Sequence, residues 1–378
     1  MPNTLTNLIP SLYAGLNTVS RELVGFIPSV TRNASAERAA VGQSITYPIA
    51  PSLNTVNIVP AMQVPEPTDR TIGSDTMQIT KAKVAEFGFV GEEILGLNNG
   101  AGFNTIQADL FAEGLRALVN EIEADLAIEA YLGSSRAYGT SGTTPFATDL
   151  SDTAQVRKIL DDNGSPLTNR SLILDTTAGA RLRTLTQLTK VNEAGDRMTL
   201  RDGALMDVHG FLIKESAQVR TPAKGTGASY LVNSASLAVG STVIPVDTGS
   251  GTILAGDIVT FAGHTDKYVV KTALSGGSFV LGGQGLRVAV PDNAAVTVQN
   301  NAARNIAFVS SALQLVARAP ALPDGGDNAV DSMMLTDPRS GLSFEVRLYQ
   351  GYRKMRYEVG LAWGVKAVKS ADIATLLG

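Results

Sequence analysis

The sequence has no cysteine among its 378 residues. Without thiols, the chain can form neither disulfides nor cysteine-ligated zinc sites, and assembly in a reducing cytoplasm is consistent with this composition. Histidine is scarce as well, because His209 and His264 are the only two. Neither has a second histidine or an acidic cluster at the spacing of metal ligands, so we expect both to be surface or loop residues.

The sequence is also short of charge and of long apolar runs. Charged residues make up 17% of the chain, compared with about 25% in typical soluble domains, which indicates surface that neighbouring molecules cover. The net charge of -4 lacks the basic excess of nucleic-acid readers, so we do not expect sequence-specific DNA binding. No apolar run approaches the roughly 20 residues of a membrane helix, and the N-terminus lacks the pattern of a signal peptide. We expect a soluble protein with no membrane partner.

Motifs of catalysis are missing too. There is neither a phosphate-binding G-x-x-x-x-G-K-[ST] loop nor a G-x-S-x-G nucleophile elbow, and the glycines of the central region fit turns between strands. The acidic loop 323–331 contains Asp324, Asp327 and Asp331 but not the spacing of an EF-hand, so we interpret it as a solvated loop, with calcium binding as the alternative. We predict no catalytic residue, no metal site and no cofactor.

The dominant feature that is present is a long amphipathic stretch from Asn104 to Gly133. Its apolar residues recur with the period of an α-helix, Asn104 can cap its start with Gln107 reaching back, and Gly133 offers a left-handed C-terminal residue. Six of its charged residues are acidic, against Arg116 alone. These are Asp109, Glu113, Glu121, Glu123, Asp125 and Glu129. We therefore predict a spine helix with one acidic surface.

Other segments carry their own patterns. A short amphipathic helix is predicted from Leu12 to Pro28, and it either packs on its own body or docks on a partner. Two extended stretches between Gln43 and Val90 enclose a proline-rich centre, which favours a projecting two-stranded arm over an ordinary long surface loop.

Strands and helices alternate from 142 to 225, and Asp175 is a helix cap. Short β-branched runs with glycine turns indicate an inserted β domain at 226–302, either a small barrel or a sandwich.

The C-terminal region gives the clearest strand signal. Apolar residues alternate from Phe344 to Leu348 and, after a turn at Gly351, occupy the odd positions from Met355 to Ala367. This pattern predicts a long antiparallel hairpin whose apolar face packs against the spine helix.

Three stretches carry a resemblance to a known family. They are DTTAGARLRTLTQLTKVNEAGDRMTLRDGALMDVHGFLIKES, GDIVTFAGHTDKYVVKT and LQLVARAPALPDGGDNAVDSMMLTDPRSGLSFEVRLYQGYRKMRYEVGLAWGVKAV. Together with the order of elements, they resemble the major capsid proteins of tailed bacteriophages, which have the Hong Kong 97 capsid fold, and within these the coat proteins of Salmonella-type short-tailed phages. The resemblance implies an α+β fold with a spine helix, a projecting β arm and an inserted β-barrel domain.

The resemblance implies a division of the chain into seven segments. These are an N-terminal arm (1–40), an extended β arm (41–95), the spine helix of a peripheral domain (96–141), an axial α/β domain in two parts (142–225 and 303–338), the inserted β domain (226–302) and the C-terminal hairpin of the peripheral domain (339–378).

The resemblance also implies a function. The chain would be a structural protein that assembles as pentamers and hexamers into an icosahedral shell around double-stranded DNA, with scaffolding and portal proteins as partners. It would assemble in the host cytoplasm and reside in the virion capsid, contacting the packaged DNA non-specifically. Asp109, Glu113 and Glu123 would form an acidic face on the inner wall. Two alternatives are an encapsulin-like compartment that packages enzymes and a β-rich carbohydrate-binding surface protein.

Overall fold

A computed structural model describes residues 24–34, 37–49, 57, 60, 73–98, 103–185, 207–336 and 341–378. These residues form a mixed α+β fold in which strands predominate. The helices in the described part of the chain are α1 (Gly91–Asn98), α2 (Phe103–Leu132), α3 (Ser151–Asp162) and α4 (Thr176–Arg183), with short 3-10 turns at Ile27–Ser29, Ser310–Ala312 and Ser370–Asp372. The helix predicted from Leu12 falls mainly on residues outside the described part.

The first sheet has six strands. They are β1 (Thr31–Ala34), β4 (Lys81–Val90), β18 (Leu313–Arg318), β19 (Ala329–Thr336), β20 (Ser343–Gly351) and β21 (Lys354–Ala367). Their order is β1-β18-β21-β20-β19, and β4 pairs with β21 as well. β20 and β21 are antiparallel, with Val346 opposite Val359, which confirms the predicted C-terminal hairpin.

The second sheet has twelve strands and spans two parts of the chain. One part consists of β5 (Arg136–Tyr138), β6 (Arg170–Leu174), β7 (Asp207–Val208), β8 (Phe211–Glu215), β17 (Arg304–Val309) and β22 (Ile373–Leu377). The other consists of β9 (Tyr230–Val232), β11 (Val243–Asp247), β12 (Ile258–Phe261), β13 (Lys267–Ser275), β14 (Ser278–Leu281) and β16 (Ala295–Val298). The two parts are joined where β13 pairs with β5.

The strands of the insert close on themselves. Their pairing follows β12-β16-β9-β11-β14-β13, and β13 pairs back with β12. The ring encloses its own apolar core, in which Val232, Ile244 and Phe279 are fully buried. A small flanking pair is formed by β10 (Ser236–Leu237) and β15 (Val290–Pro291). The barrel is therefore a structural unit with its own core, attached edge to edge to the neighbouring strands.

The predicted arm is seen at its base. β2 (Ser44–Ile49) and β3 (Gly73–Gln78) form an antiparallel two-stranded ribbon, with Thr46 opposite Thr76. Most of the proline-rich centre, between residues 50 and 72, lies outside the described residues. The ribbon continues through Ile79 into β4, so its base is part of the connection to the first sheet.

The spine helix is α2, whose 30 residues extend over about 45 Å at 1.5 Å per residue. The central part of its apolar stripe, which includes Leu115, Ile122 and Leu126, is fully buried in one core with odd positions of β21 such as Val359 and Trp363, whereas Ile106 near the start of the helix is 40% exposed. Each fully buried large apolar side chain of this kind stabilises the fold by about 1.5–3 kcal/mol. The predicted helix-on-sheet layer is confirmed.

Strand assignments at two places differ from the sequence-based division. The sequence-based division assigns β18 and β19 to the α/β part, but they extend the sheet of the hairpin. Conversely, the same division assigns β22 to the hairpin, but β22 lies between β17 and β5 in the second sheet. The 3-10 turn Ser370–Asp372 redirects the chain there, and all five residues of β22 are buried. A strand buried on both faces has no alternation that would reveal its sheet.

Gly133 ends the spine helix for a different reason from the one predicted. It does not have the positive φ of a left-handed C-terminal residue. A Cβ at this position would instead overlap the Cβ of Ala367. Glycine is therefore required by the close approach of β21, which the sequence pattern does not reveal.

Candidate functional site

The acidic residues of the spine helix do not form one surface. Glu121 pairs with Lys81 at 2.9 Å and with Lys83 at 2.7 Å, both on β4. Asp125 pairs with Lys81 at 2.8 Å and accepts a hydrogen bond from Nε1 of Trp363 at 2.9 Å. Burial raises the pKa of Glu121, but its ion pairs with the two lysines outweigh this and hold the pKa below its ordinary value. These carboxylates fasten the helix to the sheet.

Glu123 was predicted to lie on the acidic surface of the spine helix. This prediction is wrong, because the Glu123 side chain is buried. Its Oε1 accepts hydrogen bonds from the backbone amides of Gly25 at 2.6 Å and Phe26 at 2.7 Å, and its Oε2 accepts one from Ile27 at 3.0 Å. Burial raises the pKa of Glu123, and the hydrogen bonds oppose that rise. The carboxylate therefore caps the start of the 3-10 turn at Ile27–Ser29 and takes no part in an outer face.

Asp109 and Glu113 remain on the exposed side of the spine helix. They are four residues apart and so lie on the same face. Oε2 of Glu113 lies 3.2 Å from Nη1 of Arg116, which partly offsets its charge. The predicted face of three acids is reduced to these two, and its position on an inner wall stays a prediction.

The base of the arm is anchored by a polar cluster. Lys366 Nζ donates to Oδ1 of Asp75 at 2.6 Å and to the carbonyl oxygen of Thr76 at 2.7 Å. Tyr47 donates its hydroxyl to the other oxygen of Asp75 at 2.7 Å. Hydrogen bonds from Lys366 and Tyr47 lower the pKa of Asp75 to about 2. One carboxylate thus ties both ribbon strands to β21.

A second polar network lies on the hairpin sheet. Arg38 donates two hydrogen bonds to Glu345, at 2.9 and 2.6 Å, and Glu345 also accepts one from Nε of Arg347 at 3.0 Å. Arg347 continues to Asp327, which accepts a hydrogen bond from the Tyr349 hydroxyl at 2.6 Å as well. None of these residues was predicted as part of a network. Its signal was the presence of opposite charges two residues apart on an otherwise apolar strand, which places both on one face.

This network also contacts the acidic loop 323–331 and holds one of its aspartates. Asp327 is held by Arg347 and Tyr349, whereas Asp331 accepts a hydrogen bond from the amide of Ser332 at 2.9 Å. The described residues contain no group of three or more histidine, aspartate or glutamate side chains that could hold a metal ion. The carboxylates of the loop are therefore separated by their own contacts and do not converge on one point.

The clefts of the described structure are lined by residues from several elements, and neither of the two histidines lines the cleft described next. The cleft between the barrel and the α/β part has a volume of about 360 Å³ and is lined by small and hydroxyl side chains together with Asp149, Asp152 and Lys267. His209 lies in an exposed turn, where its ring contacts the hydroxyl of Thr153, and His264 follows β12 in another turn. Both histidines are loop residues, as predicted. No helix in the part of the chain described here is long and apolar enough to cross a membrane.

Comparison with known proteins finds similarity in structure only. No family model matches the sequence, and no curated protein matches it. Among solved structures, the capsid structure of the cyanophage P-SCSP1u is similar over 94% of this chain and 88% of that chain, with a TM-score of 0.52 and 13% identity. A solved structure from Mycobacterium phage Che8 is similar over 89% of this chain and 85% of that chain, with a TM-score of 0.46 and 14% identity. The mature capsid of bacteriophage PhiM1 is similar over 93% of this chain and 86% of that chain, with a TM-score of 0.45 and 10% identity.

The similarity to the cyanophage capsid covers nearly the whole chain. It therefore includes the spine helix, the hairpin sheet and the second sheet together, and does not depend on one common motif. At this level of identity, the similarity establishes the fold: the chain has a mixed α+β fold of the kind found in a phage capsid.

Proposed function

We propose that this chain is a major capsid protein with the Hong Kong 97 fold, which assembles into the icosahedral shell of a tailed phage. The observation that carries the proposal is the shared fold with the cyanophage P-SCSP1u capsid over 94% of the chain. The resemblance seen in the sequence supports the same function independently.

The construction of the arm supports a role in assembly. β2 and β3 pair only with each other among the described strands, and an isolated two-stranded ribbon is marginally stable in water. Yet its base is fastened by Asp75 and Lys366. A ribbon that is held firmly at one end and needs cover along its length suits a contact with a neighbouring subunit.

The polar character of the described residues supports a structural role over an enzymatic one. Several of their buried and half-buried charges are used in contacts between elements, such as Lys81 with Asp125 and Arg38 with Glu345. In our proposal the shell consists of pentamers and hexamers, and its assembly in the host cytoplasm needs scaffolding and portal proteins. It encloses double-stranded DNA, which it contacts without sequence preference, and Asp109 and Glu113 face that DNA from the inner wall.

Electron microscopy and sedimentation of the purified chain, expressed alone and with its genomic neighbours, test this function. We expect closed shells, rings or tubes. A single small species at high concentration, with and without a scaffolding protein, would contradict the proposal. The content of particles made during infection separates the alternatives, since DNA supports a phage capsid and enzyme cargo supports an encapsulin-like compartment.

A further inference from the structure

The tip of the hairpin between β20 and β21 exposes an aromatic side chain. Tyr352 is 88% exposed, the highest value among the large apolar and aromatic side chains that the structure describes. The guanidinium carbon of Arg353 lies 5.6 Å from the centre of its ring. A side chain of this size buries about 150–250 Å² when it is enclosed. Left in water it adds little to folding, so the ring is available for a contact with another molecule.

A groove of about 480 Å³ lies directly beside this tip. One wall comes from the end of β4 and the start of α1 and contains Val90, Glu92 and Ile94, whereas the other wall comes from the hairpin and contains Arg353 and Lys354. The backbone amide of Gly91 donates to the carbonyl oxygen of Arg353 at 3.1 Å and joins the two walls. Apolar surface is exposed along the first wall, since Val90 is 43% exposed and the adjacent Leu95 is 67% exposed.

The charges of the two walls are opposite. Glu92 is an exposed acid on the wall of α1, and Arg353 and Lys354 are exposed bases on the wall of the hairpin. No ion pair between Glu92 and either base is formed within the chain as described. A second copy can be related to the first by a twofold axis that runs along the groove. Its acidic wall then faces the basic wall of the first copy. Such an arrangement uses the same residues on both sides, as twofold contacts do.

We propose that the hairpin tip and this groove form a self-complementary contact with a second copy of the chain. Tyr352 of each copy enters the groove of the other, and Glu92 of each copy pairs with Arg353 of the other. The inference rests on the proposed function, because a shell brings many copies of this patch together. An enclosed tyrosine ring buries about 150–250 Å², far less than the roughly 800 Å² per partner of a standard interface. The contact is therefore weak between two free copies and gains strength through repetition in an assembly.

The absence of native cysteine allows a direct test by cross-linking. Chains carrying Glu92→Cys are mixed with chains carrying Arg353→Cys, both with Tyr352 intact, and are oxidised. We expect disulfide-linked pairs joined at these two positions at several times the yield of a control mixture of Glu92→Cys with Val239→Cys, since Val239 is 65% exposed on the barrel. Equal yields in the two mixtures would overturn the proposal, whether or not shells form.

Assembly yields give the second test. Tyr352→Ser should reduce the yield of assembled particles roughly tenfold, as expected for an aromatic anchor of an interface, whereas Val239→Ser should leave it unchanged. Arg353→Glu should reduce the yield as well, and combining it with Glu92→Arg should restore it. Thermal unfolding of each variant verifies that the chain is folded. A folded Tyr352→Ser chain that assembles like the natural chain would refute the contact and leave the proposed function standing. A natural chain that never assembles would contradict the proposed function, and the cross-linking result would still decide the contact.

Discussion

The carboxylate of Glu123 in the spine helix accepts a hydrogen bond from the backbone amide of Phe26 at 2.7 Å, across 97 residues of sequence. The ring of Phe26 stacks on Phe308 of β17, with the ring centres 6.0 Å apart. Gly25 is equally enclosed, because a Cβ there would approach the carbonyl oxygen of Glu215 to 2.9 Å. The segment around Phe26 therefore packs between the spine helix and the second sheet, and one buried carboxylate fixes its position.

The first prediction is that removal of this carboxylate destabilises the fold. Glu123→Ala leaves the amides of Gly25, Phe26 and Ile27 without their acceptor, and each buried unsatisfied donor costs about 1–3 kcal/mol. We expect a loss of at least about 2 kcal/mol in the free energy of unfolding, measured by urea denaturation. Glu113→Ala on the exposed side of the same helix is the matched control, with an expected change within about 0.5 kcal/mol. Equal effects of the two substitutions would show that the cap is not important.

The pH dependence of Glu123 has a definite sign. Because burial raises its pKa above 4.5, the folded chain binds this proton more tightly than the unfolded chain. The resulting stability is fully present below pH 4.5 and is lost as pH rises through the folded pKa. Glu123→Gln cannot titrate, so its stability should decline less over this range in urea denaturation at successive pH values. An identical slope in the two chains would contradict the prediction.

Asp75 gives the opposite dependence. Its pKa is lowered from 3.8 to about 2 by Lys366 and Tyr47, so its contribution is present above pH 3.8 and is lost as pH falls towards 2. The protection of the backbone amides of β2 and β3 against hydrogen exchange, taken relative to the intrinsic exchange rate at each pH, should fall over this interval. In Asp75→Asn this protection should already be lower at neutral pH and should change less with acid. Protection that changes neither with acid nor with the substitution would mean that the cluster does not hold the arm.

The sequence predicted those parts of the fold that follow from periodicity. α2 has one apolar stripe and β21 has one apolar face, so both elements and their packing were predictable. The function of Glu123 was not, because its partners are backbone amides far away in sequence, which composition and spacing do not reveal. The same limit applied to β22, whose residues are all buried and therefore fit either sheet. Glu345 and Arg347 were closer to prediction, since their spacing places opposite charges on one face of a strand.

A further prediction concerns Gly364 on β21. A Cβ at this position would overlap the carbonyl oxygen of Gln78, where the base of the arm crosses the sheet. Gly364→Ala should therefore displace the end of β3 and reduce stability by about 1–3 kcal/mol. Gly91→Ala is the control, because no atom lies within 4 Å of its Cβ position. Thermal unfolding measures both. A Gly364→Ala chain as stable as the control would show that the arm shifts without cost.

The last prediction concerns the acids that do remain exposed on the spine helix. Asp109 and Glu113 lie on one face, and within a Debye length of about 8 Å their repulsion of DNA phosphates persists at physiological salt. If this face lines the interior of the proposed shell, it keeps packaged DNA from adhering to the wall. Changing both residues to lysine should leave assembly intact but hinder DNA packaging or ejection, because each new cation can neutralise a phosphate and release counterions.

The paired change Asp109→Asn with Glu113→Gln separates two causes of this effect. It removes the repulsion without adding cations, so its effect on DNA content per particle should be smaller than that of the lysine pair. Placing lysine at Asp324, an exposed acid in the loop before β19, controls for the change in net charge. DNA content and infectivity are the measurements. If the lysine pair packages and ejects DNA like the natural chain, the two acids serve solubility, and the inner-wall position loses its support.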